Sequence, residues 1–164
     1  MLIVVTSDKA IVDWSRDSDS GSGNWGVVNV LTPGPQAKAT NQLNKLLKKV
    51  GKNEPLCIVS HGNDAEIGDE NPSQANAWTW TSDDMGNNVG NNLPSDYQAP
   101  ILLATCCESI TDFTANMALA LERIRRLNKV WIYGYNKGVP IRHPFPAPDK
   151  LDKSVELTGK QVKF

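Results

Sequence analysis

The chain lacks an excess of either charge: 17 basic side chains stand against 18 acidic ones in 164 residues, a net charge of -1. Nucleic acid and anionic membranes are held by basic fields, so neither is expected as a partner. Long apolar runs are also missing. None approaches the roughly 18 residues needed to span a bilayer, and Leu2 to Val5 has no basic flank and is far shorter than a signal-peptide core. Cysteine is scarce, with three in the chain and two of them adjacent, Cys106 and Cys107. An odd count with a neighbouring pair makes a poor disulfide framework, which points to a reducing, cytoplasmic compartment.

Other absences narrow the chemistry. There is no C-x-x-C knuckle, and Cys57, His61, Cys106 and Cys107 would have to turn alternate faces of two strands toward one ion, so no metal is expected. The acidic stretches at Asp64 to Glu70 and at Asp83-Asp84 lack the alternating ligands and closing glutamate of an EF-hand. Gly21, Gly23, Gly26 and Gly34 are too dispersed for a phosphate-cradling loop, so no nucleotide or other cofactor is expected. A cysteine phosphatase is excluded because the first arginine after Cys107 is Arg123.

What is present fits one domain, residues 1–164, large enough at 40% hydrophobic composition to bury its own core. Leu2-Ile3-Val4-Val5-Thr6 predicts a buried strand opening into a polar loop. From Asp8 to Gln36 the composition turns to Ser, Asp, Gly and Pro, which predicts a long loop, most flexible over Asp17 to Gly23, with a strand at Val27 to Val30. Leu43, Leu46, Leu47 and Val50 carry the spacing of an amphipathic helix that ends at Gly51. Leu56 to Ser60 is a second buried strand, stopped by His61-Gly62. Trp78 to Thr81 alternates like a strand or hairpin arm. Ser82-Asp83-Asp84 then opens a helix weakened by Gly86 and Gly90 and ended by Pro94. A third buried strand, Ile101 to Thr105, runs into Cys106-Cys107-Glu108-Ser109. After it, Ile110 to Leu127 predicts a long helix with a capping box at Ser109 and Asp112. Val130 to Gly134 is the fourth strand, followed by a Pro-rich segment and a charged tail.

This alternation is that of an α/β fold, a three-layer sandwich with a mainly parallel sheet, in which ligands sit at the C-terminal ends of the strands. His61 and Cys107 both fall there. A thiol just before a helix start lies at the positive end of the macrodipole, which favours the thiolate, and a nearby histidine can carry the proton to a leaving amine. The N–H groups of Gly62 and Cys107 are placed to hold an oxyanion. Cys106 and Cys57 are expected in the core, and His143 in a solvated loop.

Ile58-Val59-Ser60-His61-Gly62 followed by Leu102-Leu103-Ala104-Thr105-Cys106-Cys107-Glu108-Ser109 resembles the two signature blocks of the caspase-like cysteine peptidases: caspases, legumains, metacaspases, gingipains and separases. Cys-Glu-Ser is similar to the legumain block and the paired cysteines to the metacaspase block, in which the second cysteine is the nucleophile. Histidine and cysteine are 46 positions apart, close to the roughly 50 of caspases. Thr81 to Asp84 and Leu93-Pro94 resemble the linker helix of bacterial members, so the likeness covers residues 55–136. It implies a caspase-like fold, a Cys107–His61 dyad, and a peptide or protein substrate cleaved after a defined P1 residue. Thr105 stands where metacaspases and legumains carry an acid, and Ile110 where a glycine is frequent. Arg16 lies roughly where caspases hold an acidic P1, while Asp13, Asp17 and Asp19 in the same loop suit a basic one. Trp80 is either a wall of the substrate cleft or simple packing on the sheet. The rival to catalysis is an inactive protein-interaction module of the same fold, and Val130 to Tyr135 is a candidate edge for a homodimer.

Overall fold

Each apolar run becomes a strand, and each intervening amphipathic stretch a helix. The computed structural model describes residues 1–71, 76–107, 111–127, 130–135, 138–151 and 161–163, and for 106, 107, 111 and 161–163 it describes the backbone. The described strands are β1 (Leu2–Val4), β2 (Val28–Val30), β3 (Leu56–Gly62), β4 (Glu66–Gly68), β5 (Thr79–Thr81), β6 (Ile101–Cys107), β7 (Ile132–Tyr135) and β8 (Gln161–Lys163). The helices are α1 (Lys9–Arg16), α2 (Gln36–Leu47), α3 (Ser82–Asn92) and α4 (Thr111–Arg123).

All eight strands join one sheet in the order β2-β1-β3-β6-β7-β8, with the β4–β5 hairpin attached to β3. The pairs from β2 through β7 are parallel, and β8 runs antiparallel to β7. Both faces are covered, which is why these strands are continuous apolar runs rather than alternating ones. Ile3, Ile58, Ile101, Leu103 and Ile132 pack under α2, α3 and α4, against Leu43, Met85, Phe113 and Met117. The alternate residues, Leu2, Val4, Cys57, Val59 and Ala104, face Ile11 of α1 together with Trp25 and Phe145.

Sheet order fixes where a site can form. From β1 the chain crosses to β2 on one side, and from β3 it crosses to β6 on the other, so the direction of winding reverses between β1 and β3. The loops leaving these two strands diverge there, the position at which doubly wound sheets place their ligand sites. Past Val59, where β1 stops pairing, β4 takes over that side of β3 opposite His61 and Gly62. Asp69 closes the gap: it accepts from Thr6 Oγ1 (2.8 Å), Ser7 N (2.6 Å) and Trp78 N (2.8 Å).

The segment from Asp8 to Gln36 departs from expectation. It opens with helix α1, whose short apolar pattern was hidden by the Gly- and Ser-rich residues that follow. Asp17 to Gly23 forms parts of two 3-10 turns, pinned by the Pro-rich segment: Phe145 N donates to Ser20 O (2.7 Å) and Trp25 Nε1 to Pro146 O (2.9 Å). Nor is β7 an edge, because β8 pairs along it through Tyr133, Gly134 and Tyr135. A homodimer through β7 would have to displace that strand. Helix α4 stops at Arg123 instead of running to Leu127. Arg125 takes a left-handed φ of 56°, Arg125 N donates to Glu122 O and Arg126 N to Leu121 O. That is a Schellman closure with arginine in the place glycine usually fills, so the sequence carried no stop signal. The capping box at Ser109 lies outside the described residues.

The weakness of α3 has a packing cause. A Cβ on Gly86 would stand 2.8 Å from Ala120 Cβ and 3.2 Å from Met117 O, both on α4. The missing side chain lets the two helices approach. Gly→Ala in an exposed helix stabilises by about 1 kcal/mol. At Gly86 the sign should reverse, and Gly86→Ala should lower stability by about 1–3 kcal/mol through overpacking, as read by urea denaturation.

Candidate active site

His61 is the sixth residue of β3, and strand alternation carries it to the same face as Cys57 and Val59, over α1. It is 7% exposed. Its Nε2 lies 3.0 Å from Oδ2 of Asp8, the residue that leads from β1 into α1. The other carboxylate oxygen of Asp8 caps that helix, accepting from Ala10 N (2.7 Å) and Ile11 N (3.3 Å). One side chain thus starts α1 with Oδ1 and holds the imidazole with Oδ2, at the point where the winding reverses. Partial burial alone would raise the Asp8 pKa. The hydrogen bonds from His61, Ala10 and Ile11, together with the charge of His61, outweigh it and hold the carboxyl below its usual value. Asp8 thus joins the site as a residue that sequence reasoning missed. The available signal was an aspartate one position before Lys9-Ala10-Ile11-Val12, a helix N-cap pattern.

Strand β6 extends beyond Thr105 through both cysteines, in parallel register with β3: His61 stands across from Cys106 and Gly62 from Cys107. Both members of the expected dyad are therefore at adjacent strand ends, with Cys107 one register position beyond His61. Gly62 is required by packing. A Cβ there would stand 2.8 Å from Ile67 Cγ2 and 3.0 Å from Thr105 Cγ2. Helix α4 begins four residues after Cys107, and its first turn already faces an anion, since Asp112 N donates to Asp64 Oδ1 (3.1 Å). That carboxylate shares the positive helix end, so the field available to a thiolate is weaker than the helix start alone implied. Cys57 is fully buried and its thiol pKa is pushed far up by desolvation, which makes it inert.

The remaining expected site residues scatter. Asp13 and Arg16 lie on α1 rather than in a loop; both are exposed, and Asp13 pairs with Lys9. Trp80 is 1% exposed and sits in the core on the opposite side of the sheet, its Nε1 donating to Thr40 Oγ1 (3.2 Å), so it is not a cleft wall. Thr105 is buried beside Gly62, and its Oγ1 has no hydrogen-bond partner among the described residues. His143 is half-buried instead of solvated, meeting Tyr135 edge-on at 5.5 Å, and desolvation lowers its pKa.

Two hollows flank the strand ends. A polar one is bordered by His61, Asn63, Glu66, Asp69 and Glu70. The other, a narrow apolar one with about 20 Å³ of space, lies over Ser60 and Thr105, the residues preceding His61 and Cys106. Asp8, His61 and Glu70 bring their oxygen and nitrogen atoms within 4.8 Å of one another and could hold a divalent cation. Such an ion would compete for the imidazole that Asp8 now holds. Among the described residues no helix is long and apolar enough to cross a membrane. No protein-family model matches this chain, and no curated protein matches it.

Proposed function

We propose that the chain is a cysteine peptidase of the caspase-like type, with Cys107 as nucleophile and His61 as its acid–base partner. The observation that carries this reading is the pairing of a buried, carboxylate-held histidine at the end of β3 with a strand of matching register that ends in Cys106-Cys107. The signature-block resemblance selects Cys107 over Cys106, which the register sets directly across from His61.

With Nε2 engaged by Asp8, proton exchange runs through Nδ1 of His61. The imidazole takes the Cys107 thiol proton, and the thiolate attacks the scissile carbonyl carbon, moving the C=O pair onto oxygen. The N–H groups of Gly62 and Cys107 are the candidate oxyanion donors. Collapse of the adduct breaks the C–N bond as His61 protonates the amine. Water, deprotonated by the same imidazole, then hydrolyses the thioester.

The reading is tested by incubating the protein with a complex peptide pool under reducing conditions and identifying new termini by mass spectrometry. A peptidase generates termini that vanish in Cys107→Ala and persist in Cys106→Ala. A wild-type protein that generates none supports the inactive interaction module instead.

A further inference from the structure

The sequence leads to no metal at His61 with cysteines as co-ligands; the fold gives the imidazole carboxylates instead. One ligating atom from each of Asp8, His61 and Glu70 lies within 4.8 Å of the other two, and Asp8 Oδ2 and His61 Nε2 are 3.0 Å apart. Ligands bound to one zinc ion at about 2.0–2.2 Å stand roughly 3–3.5 Å from each other, so this pair already has the separation of two ligands on a shared ion. Only Glu70 has to close in. Its side chain is exposed, and among the described residues it has no hydrogen-bond or ion-pair partner to give up. The convergence is built by Asp69, the residue before Glu70. Asp69 accepts from Thr6 Oγ1 and Ser7 N, the two residues before Asp8, and from Trp78 N beside β5. That clasp joins segments 62 positions apart, and each then supplies one carboxylate to the same imidazole. The polar hollow at this point has about 250 Å³ of space, enough for an ion with several waters at roughly 30 Å³ each. Glu66 and Asp69 also border it, and their charge favours a cation.

We propose that Asp8, His61 and Glu70 form a site for a divalent cation of the zinc class, completed by water, and that the bound ion switches the peptidase off. One imidazole nitrogen with two carboxylate oxygens suits zinc better than magnesium or calcium, which take oxygen ligands. The inhibition rests on the peptidase reading, whereas the metal site does not. On binding, His61 Nε2 gives its lone pair to the ion, so the single ring proton moves from Nε2 to Nδ1, and Asp8 Oδ2 exchanges its hydrogen bond for a bond to the metal. Nδ1 then carries a hydrogen and has no lone pair for the Cys107 thiol proton. Removing the ion returns the proton to Nε2 and restores the base.

Zinc binding is measured by competition with a chromophoric chelator, in protein kept reduced by a phosphine, for wild type, Glu70→Gln and the double variant Cys106→Ala/Cys107→Ala. Wild type and the cysteine variant should bind one ion with similar affinity, and Glu70→Gln should bind at least on the order of 10-fold more weakly. Magnesium or calcium at the same concentration should not displace zinc. In a peptide-cleavage assay, zinc should stop the wild-type reaction and EDTA should restore it. Glu70→Gln should keep the basal rate and need on the order of 10-fold more zinc for half inhibition. Zinc lost with the cysteines, or held equally by Glu70→Gln, overturns the site, because other groups then hold the ion. Zinc bound as expected while cleavage continues overturns the switch. Zinc bound as expected by a protein that cleaves no peptide, with EDTA or without, supports the site and overturns the peptidase reading.

Discussion

Replacing Cys107 by alanine should reduce peptide hydrolysis by about 10⁴-fold or more, and replacing His61 by alanine should do nearly the same. The double variant should be little worse than either single one, because a nucleophile and its base act as a unit and their losses do not add. Cys106→Ala is the informative control. It sits across from His61 in the register, so any reading based on proximity of strand positions alone would make it the more sensitive site. Retained activity in Cys106→Ala and loss in Cys107→Ala assigns the nucleophile, and the reverse pattern moves it one residue back along β6. Initial rates on one cleavable peptide, with circular dichroism to confirm that each variant folds, are sufficient.

Asp8→Asn should lower kcat by about 10²–10⁴-fold with little change in KM. The reason is the direction of one hydrogen bond. A carboxylate accepts from His61 Nε2–H and leaves Nδ1 as the basic nitrogen. Asparagine keeps an oxygen for the α1 cap but would present its NH₂ to Nε2, favouring the tautomer with the proton on Nδ1, which cannot take one from a thiol. The same substitution carries a stability signature. Because the Asp8 pKa is lowered in the folded state, its contribution is fully present above the ordinary carboxylate value of about 3.9 and is lost as pH falls below it. Asp8→Asn should therefore be less stable than wild type in urea at pH 7, and the difference should shrink toward pH 3. Unchanged kcat would mean that Asp8 serves only as a helix cap.

Much of the parallel core was legible because buried strands are long unbroken apolar runs: Leu56 to Ser60 and Ile101 to Thr105 could hardly be anything else once breakers bounded them. The strand ends were less so. Both β3 and β6 run on through His61-Gly62 and Cys106-Cys107, polar or small residues that look like loop but are held by neighbouring strands. Helix α1 was hidden because only Ile11 and Ser15 of its 8 residues are buried and it sits beside a Gly- and Ser-rich stretch. The position of His61 could be read from the chain, but its Asp8 partner lies 53 positions away and depends on sheet order, which no local pattern encodes. Trp80 failed in the opposite way. Alternation correctly gave a strand, yet which face it presented was decided by the hairpin folding back over α2 and α3.

The most direct test of the dyad is site-resolved alkylation by iodoacetamide between pH 5 and 9, read by peptide mass spectrometry at Cys57, Cys106 and Cys107 in wild type and His61→Ala. A dyad predicts that Cys107 reacts fast below pH 7 and slows in the variant, while Cys57 stays inert in both. Equal, ordinary reactivity at Cys107 with and without His61 would contradict it.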